Sequence, residues 1–148
     1  FVCKKGAMQE FTREQVAEIT AGKQIGVQRA TIHDMFITDN HGKGATIKRY
    51  ATQDEAYMDL AAGRVDMLLA DSVAIDGGFL KKPEGQDYQF IGPDLTDKKW
   101  FGDGSGIACR KKDKDLVELF NKAIAQIRSD GTYKKIQDKY FDFDVYGE

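Results

Sequence analysis

Apolar residues fall along the chain in short runs and in helical repeats that alternate, which predicts strands connected by helices. Residues 25–27 (Ile-Gly-Val) form an apolar run that is typical of a buried strand. Residues 65–70 (VDMLLA) are apolar almost without interruption, so we predict a central strand that is covered on both faces. Further strand-like segments are residues 1–4, 45–50, 88–91 and 107–109.

Capping signals place helices between these strands. A Thr that precedes a helix accepts a hydrogen bond from the first turn, and an acidic or amide residue three positions later can return the bond. Such pairs occur at three predicted helix starts: Thr12 with Gln15, Thr31 with Asp34, and Thr52 with Glu55. Another helix is predicted over residues 72–81. Because helices and strands alternate over residues 12–91, we predict an α/β fold, a parallel-type sheet flanked by helices.

The remainder of the chain has a different pattern. Residues 92–106 carry glycines and a proline and are predicted to form a loop. Apolar residues then recur on one face of a predicted helix. They are Leu116, Leu119, Phe120, Ala123, Ile124 and Ile127. Residues 130–132 (Asp-Gly-Thr) end this helix and begin another. Two amphipathic helices with no strand between them need a partner surface for their apolar face.

The strand, turn and helix within residues 22–36 form a candidate anion site. A helix that begins at Thr31 leaves the N–H groups of its first turn without helical acceptors, and the helix dipole adds positive potential there. Asp71 follows the predicted central strand. Ligands of parallel sheets bind beyond the carboxyl ends of the strands, where both groups are expected. A helix start beside a carboxylate suits a zwitterion, with its carboxylate on the helix and its ammonium on Asp71.

Composition and charge narrow the class of protein. The chain has 148 residues, 41% of them apolar and 31% charged, with a formal net charge of −2. This length allows one domain, or one domain and part of another. The charges are scattered, so nothing predicts a nucleic acid or a membrane surface as partner. No apolar run is long enough for a transmembrane helix.

The first residues of the chain and its two cysteines give weaker indications about processing and compartment. The first residues, FVCKKG, include no initiator Met and no apolar signal segment, so we expect that a segment upstream has been removed or left out. Cys3 and Cys109 can form one disulfide in an oxidising compartment or remain two small buried residues, and the second reading is favoured. Four clustered ligands for zinc are not available.

Four segments carry a resemblance to a known family. They are GKQIGVQRAT, AAGRVDMLLAD, GGFLKKPEG and RSDGTYKKIQDKYFDFDVYGE. Together they resemble the periplasmic solute-binding proteins of amino-acid ABC transporters, most closely the lysine/arginine/ornithine and histidine binders. The tail motif D-G-T-Y-x-K-I-x-x-K-Y-F is the most specific part, and the resemblance covers essentially the whole chain.

The resemblance implies a type II periplasmic binding protein, in which two α/β lobes joined by crossing strands close on one amino acid. Residues 1–4 are similar to the first crossing strand, 5–103 to lobe 2, 104–110 to the return strand, and 111–148 to the C-terminal helices that pack on lobe 1. The sheet of lobe 1 is expected to be missing. The face left exposed would then favour a homodimer or a domain swap.

The resemblance also implies a function. The expected protein is a non-enzymatic, periplasmic component that takes up arginine, lysine, ornithine or histidine, with an ABC permease as membrane partner and with no cofactor. The implied substrate-binding residues are Gln28, Ala30, Thr31, Ile32, His33 and Asp71. Asp71 would accept the α-ammonium group, while backbone N–H groups at Thr31 and Ile32 and the Thr31 hydroxyl would meet the α-carboxylate. Gln28 and His33 would line the cleft.

The chain departs from the family pattern at the helix start. Related binders often carry Gly-Ser/Thr-Thr where this chain has Ala30, Thr31 and Ile32, so a second hydroxyl is absent. Arg29 is unusual beside a cleft for basic amino acids. An inward Arg29 would repel a cationic side chain, whereas an outward one would be inert.

Other interpretations remain open from the residues alone. Asp71 is also placed to be the N-cap of the helix that begins at Ser72. The segment VDMLLAD resembles the strand and acid of a receiver domain, but that domain needs an acidic pair where this chain has Gln28 and Arg29. An enzyme on the same fold, such as a cyclic amino-acid dehydratase, would have Asp71 as its candidate catalytic group.

Overall fold

The computed structural model describes residues 1–41 and 44–146. The chain divides into two compact units, Phe1–Gly104 and Ser105–Glu148. The last two residues of the predicted C-terminal range 111–148 lie outside the described part. No described helix combines the length and the hydropathy that a membrane crossing requires.

The first unit is built on a sheet that has five strands among the described residues. In chain order these are β1 (Val2–Lys4), β2 (Gln24–Gln28), β3 (Thr46–Tyr50), β4 (Met67–Leu68) and β5 (Tyr88–Phe90). Their order across the sheet is β3-β2-β4-β1-β5. β2 is parallel to β3 and β4, as the alternation predicted. β1 is antiparallel to both of its neighbours, β4 and β5, so the sheet as a whole is mixed.

Helices cover both faces of this sheet. In chain order they are α1 (Val16–Thr20), α2 (Ile32–His41), α3 (Gln53–Ala61), α4 (Ser72–Ile75) and α5 (Lys98–Phe101). A 3₁₀ turn at Arg13–Gln15 leads into α1, and a π-helical turn at Asp76–Leu80 continues α4, so the helix predicted over residues 72–81 is present. A further 3₁₀ turn lies at Pro83–Gly85. The α/β fold class is therefore confirmed.

The core has two layers, one on each face of the sheet. One layer includes Phe36 and Ile37 of α2 together with Met67 of β4. The other includes Leu60 of α3 together with Leu68 of β4. Consecutive β4 side chains enter opposite layers, as the pleat of a strand requires. The prediction that this strand is central and covered on both faces is confirmed.

Two sequence-based predictions about secondary structure are wrong. Residues 92–106 are not loop throughout, because α5 forms within them. Trp100 and Phe101 pack against Phe36 of α2, and this tertiary contact stabilises a helical turn that the local sequence does not predict. Residues 107–109 form no strand, because no described strand pairs with them.

The second unit contains the two predicted C-terminal helices, α6 (Lys114–Ser129) and α7 (Thr132–Gln137). Gly131 joins them in the left-handed conformation at φ 78°. Large apolar side chains on α6 and α7 remain exposed in this unit, with Leu119 at 62% and Ile136 at 50% of full exposure. The amphipathic pattern is thus present, and its apolar face is open to solvent.

Candidate functional site

The candidate site lies beyond the carboxyl ends of β2 and β4, which are parallel neighbours in the sheet. β2 ends at Gln28 and leads through Ala30 into α2, while β4 leads into Asp71 and α4. Since neighbouring parallel strands end at the same edge, the start of α2 and the Asp71 carboxylate lie on one side of the sheet. Burial lowers the pKa of His33, which lies in the first turn of α2. The Asp71 carboxylate acts in the opposite direction and raises this pKa by a smaller amount.

The turn between β2 and α2, which we call the elbow (residues 28–31), has an unusual backbone. Ala30 adopts φ 60°, and it is the only described residue other than glycine with a positive φ. This left-handed conformation is disfavoured for a residue that carries a Cβ. A glycine at this position would adopt the same φ without a steric penalty. The elbow therefore holds a strained residue next to the candidate site.

Hydrogen bonds within the elbow fix the start of α2. Thr31 Oγ1 accepts from the Asp34 N–H at 3.3 Å and donates to the Gln28 carbonyl at 2.8 Å. The Asp34 carboxylate accepts from the Ala30 N–H at 3.1 Å. Thr31 thus caps α2 as predicted, but Asp34 reaches Ala30 rather than Thr31. A ligand that took a hydrogen bond from the Thr31 hydroxyl would displace the Gln28 carbonyl.

Three backbone N–H groups at the start of α2 remain available. Within the described residues, the Thr31, Ile32 and His33 N–H groups have no acceptor, whereas Met35 donates to the Thr31 carbonyl at 3.1 Å. The three groups stand at the positive end of a ten-residue helix. The arrangement favours an anionic group such as a carboxylate.

His33 is held against an aromatic cluster. Its ring lies 5.7 Å from the ring of Phe101, which in turn lies 5.2 Å from the ring of Phe36. Burial is the largest influence on His33 and lowers its pKa, so the imidazole is neutral near pH 7. A neutral ring beside the N–H groups adds no charge that would compete with a cationic ligand.

Asp71 caps α4 while keeping acceptor capacity. Its Oδ1 accepts from the Ala74 N–H at 3.0 Å, so the N-cap interpretation of Asp71 is correct. The side chain is exposed, and Oδ2 has no donor among the described residues. A carboxylate can accept several hydrogen bonds, so the cap leaves Asp71 able to accept from an ammonium group.

The other predicted residues lie at the rim of the site. Gln28 is half-buried, and its amide donates to the Ala51 carbonyl at 3.4 Å. Arg29 is exposed, and its backbone N–H bonds to the Tyr50 carbonyl at 2.9 Å. Both residues therefore tie the end of β2 to the end of β3.

The sequence did not reveal the ion pair behind the elbow. Arg49 Nε donates to Asp34 Oδ1 at 2.8 Å, across from β3 to α2. Arg49 stands opposite Val27 in the β2–β3 register, which the sequence does not specify. The only signal in the sequence was an Arg within a predicted strand, since a charge on a packed strand usually requires a partner.

A family model covers most of the chain. The model of bacterial extracellular solute-binding proteins, family 3, matches residues 9–143. The chain belongs to this family. The resemblance inferred from the four segments is thereby confirmed.

Curated relatives of this family 3 protein are similar over most of its length. The lysine/arginine/ornithine-binding periplasmic protein of Escherichia coli (strain K12) is 48% identical over 128 residues, which are 86% of this chain and 49% of the relative. The L-arginine-binding protein of Pseudomonas aeruginosa is 47% identical over 148 residues, 99% of this chain and 56% of the relative. The chain thus spans about half the length of these relatives.

A solved structure is similar as well. It is described as an ancestral arginine-binding protein bound to arginine, and it is 29% identical with a TM-score of 0.65. The match covers 95% of this chain and 58% of that one. This family 3 protein therefore shares its α/β architecture with a structure that holds arginine.

Proposed function

We propose that this family 3 protein is the ligand-binding part of an amino-acid ABC importer and binds a free L-amino acid with a basic side chain. The observation that carries the proposal is the pairing of the free Ile32 and His33 N–H groups with the exposed Asp71 carboxylate at one sheet edge. The N–H groups suit an α-carboxylate, and the Asp71 carboxylate suits an α-ammonium group. Arginine, lysine, ornithine and histidine are the candidate ligands.

The proposal extends to domain organisation, location and partner. A periplasmic location is supported by the name of the lysine/arginine/ornithine-binding relative and by the family of extracellular solute-binding proteins. The partner that we propose is a permease in the membrane. The boundary between the two compact units lies after residue 104. We assign residues 1–4 to the first crossing segment, 5–103 to lobe 2, 104–110 to the return segment, and 111–148 to C-terminal helices.

Binding is favoured over the other functions considered. No comparison supports a receiver domain or a dehydratase. A receiver domain also needs an acidic pair at the end of the first strand, where β2 ends in Gln28 followed by Arg29. The site consists of a helix start, a capped carboxylate and a neutral imidazole. These groups recognise a zwitterion without a nucleophile or an activated acid.

A titration followed by ¹H–¹⁵N NMR tests the proposal. Arginine at millimolar concentration is expected to shift the Ile32 and His33 amide signals, because these N–H groups would donate to its carboxylate. Agmatine, which is arginine without the carboxylate, should leave them nearly unchanged and serves as the control. If none of the four basic amino acids moves these signals, the proposed site is wrong.

The exposed apolar side chains of α6 and α7 support a proposal about assembly. Leu119 and Ile136 are at least half exposed, and burying such side chains is worth roughly 1.5–3 kcal/mol each. We expect a second copy to cover them, as a homodimer or through a domain swap. Light scattering at increasing protein concentration should show a mass above that of the monomer. A monomer at all concentrations would contradict this.

A further inference from the structure

Asp34 is an acidic residue near the site whose carboxylate accepts hydrogen bonds from neighbouring residues of the chain. It lies in the first turn of α2, and its side chain is 12% exposed. Oδ2 accepts from the Ala30 N–H at 3.1 Å. Oδ1 accepts from Arg49 Nε at 2.8 Å. The Thr38 hydroxyl lies 3.2 Å from Oδ1 and donates to the Asp34 backbone carbonyl at 2.6 Å. One side chain therefore connects the elbow, α2 and β3.

Arg49 anchors this carboxylate to the sheet. β3 pairs with β2 along five consecutive positions, so the backbone of Arg49 belongs to the rigid part of the unit. Besides the bond to Asp34, Arg49 Nη2 donates to the Thr38 hydroxyl at 2.7 Å. The guanidinium thus contacts α2 at two points one turn apart, and it holds Asp34 toward Ala30.

The backbone at Ala30 needs such a restraint. Its φ of 60° is disfavoured for alanine, so without a bond the elbow would relax toward negative φ. Such a change at residue 30 would reorient the peptide groups that follow it, including the N–H groups of Ile32 and His33. Asp34 opposes the change directly, because it accepts the N–H of Ala30 itself.

We infer that Asp34, held by Arg49, is a positioning residue that keeps the elbow in its left-handed form and so aims the Ile32 and His33 N–H groups at the ligand carboxylate. The inference rests on the proposed function. It explains how this chain keeps a left-handed elbow with alanine rather than glycine at residue 30. In population terms, the bond at Ala30 raises the fraction of molecules whose elbow is competent to bind.

The variant Asp34→Asn tests this role. Asparagine offers one acceptor oxygen, which cannot serve both Ala30 and Arg49 in the present geometry. We expect arginine to bind about tenfold more weakly, equivalent to ~1.4 kcal/mol. Argininamide lacks the α-carboxylate, so its affinity should change little. The preference for arginine over argininamide should therefore fall about tenfold.

A rescue experiment separates positioning from general destabilisation. In the double variant Asp34→Asn/Ala30→Gly, glycine accepts the left-handed φ without Asp34, so most of the lost preference for arginine should return. Asp39→Asn is the matched control. Asp39 is exposed on the same helix, and its carboxylate makes no hydrogen bond or ion pair among the residues described. This substitution makes the same charge change and should leave the preference within about twofold, because charges exposed to solvent interact weakly.

Each outcome has a distinct meaning. If the parent chain shows no binding of the four basic amino acids, the proposed function fails. If the parent binds but Asp34→Asn weakens arginine and argininamide equally, or Ala30→Gly restores nothing, the positioning role is overturned. If Asp34→Asn does not fold, Arg49→Lys decides. Lysine cannot make both contacts of Arg49. A severalfold loss of the preference for arginine over argininamide that Ala30→Gly reverses supports the inference. An unchanged preference overturns it.

Discussion

Replacing Phe36 with alanine should lower the free energy of unfolding of the first unit by about 3–5 kcal/mol. Phe36 is completely buried at the centre of the layer between α2 and the sheet. Its ring lies 5.2 Å from Phe101 and 6.3 Å from Trp100, and the Arg13 guanidinium lies 5.1 Å from its centre. Truncation would remove these contacts and leave a cavity that the packed sheet cannot fill.

Denaturant unfolding followed by circular dichroism measures this loss. Met35→Ala is the control, because Met35 precedes Phe36 on the same helix but is 51% exposed, and its truncation should change stability by about 0.5 kcal/mol or less. Small domains are stable by roughly 5–15 kcal/mol, so the Phe36 variant should be partly unfolded at moderate denaturant. A cost below about 1 kcal/mol would show that α2 is not held by this cluster.

The elements that could be predicted from sequence are those whose signals are local. The caps are one example: Gln15 accepts from the Thr12 N–H at 2.9 Å, and Glu55 accepts from the Thr52 N–H at 3.2 Å, as their spacing indicated. The central position of β4 followed from an apolar run in which both faces are hydrophobic. In each case a few neighbouring residues determine the outcome.

The elements that could not be predicted depend on distant contacts. α5 forms because Trp100 and Phe101 reach α2, which lies far away in sequence. Residues 107–109 have the composition of a strand, but a strand requires a hydrogen-bonding neighbour, and none of the described strands provides one. Local composition contains neither kind of information.

The candidate site divides in the same way. Thr31 and Asp71 were identified because a cap and a strand end are both local, and the parallel topology then brings them to one edge. The bond from Asp34 to Ala30 and the ion pair with Arg49 depend on φ at residue 30 and on the β2–β3 register. Sequence reasoning thus found the groups proposed to touch the ligand but missed those that hold them in place.

Asp71→Asn is expected to have the largest effect on ligand binding, a loss of about 10- to 100-fold in affinity for arginine. A hydrogen bond to a charged group contributes roughly 1.5–3 kcal/mol, and the neutral amide would lose the charge that attracts the α-ammonium group. The fold should tolerate the change, because Asn caps helices about as well as Asp and can still accept from the Ala74 N–H. NMR titration with arginine measures the loss, and a thermal melt checks stability.

Two further measurements make the Asp71 result decisive. Asp54→Asn is the matched control, since Asp54 is an exposed acid in the first turn of α3, and removing its charge should leave arginine affinity within about twofold. The Asp71 charge raises the pKa of His33, so Asp71→Asn should lower that pKa further, which the imidazole NMR signals report directly. A lower pKa of His33 together with unchanged affinity would mean that Asp71 lies beside His33 as described but does not hold the ligand, and the pocket would have to be sought elsewhere.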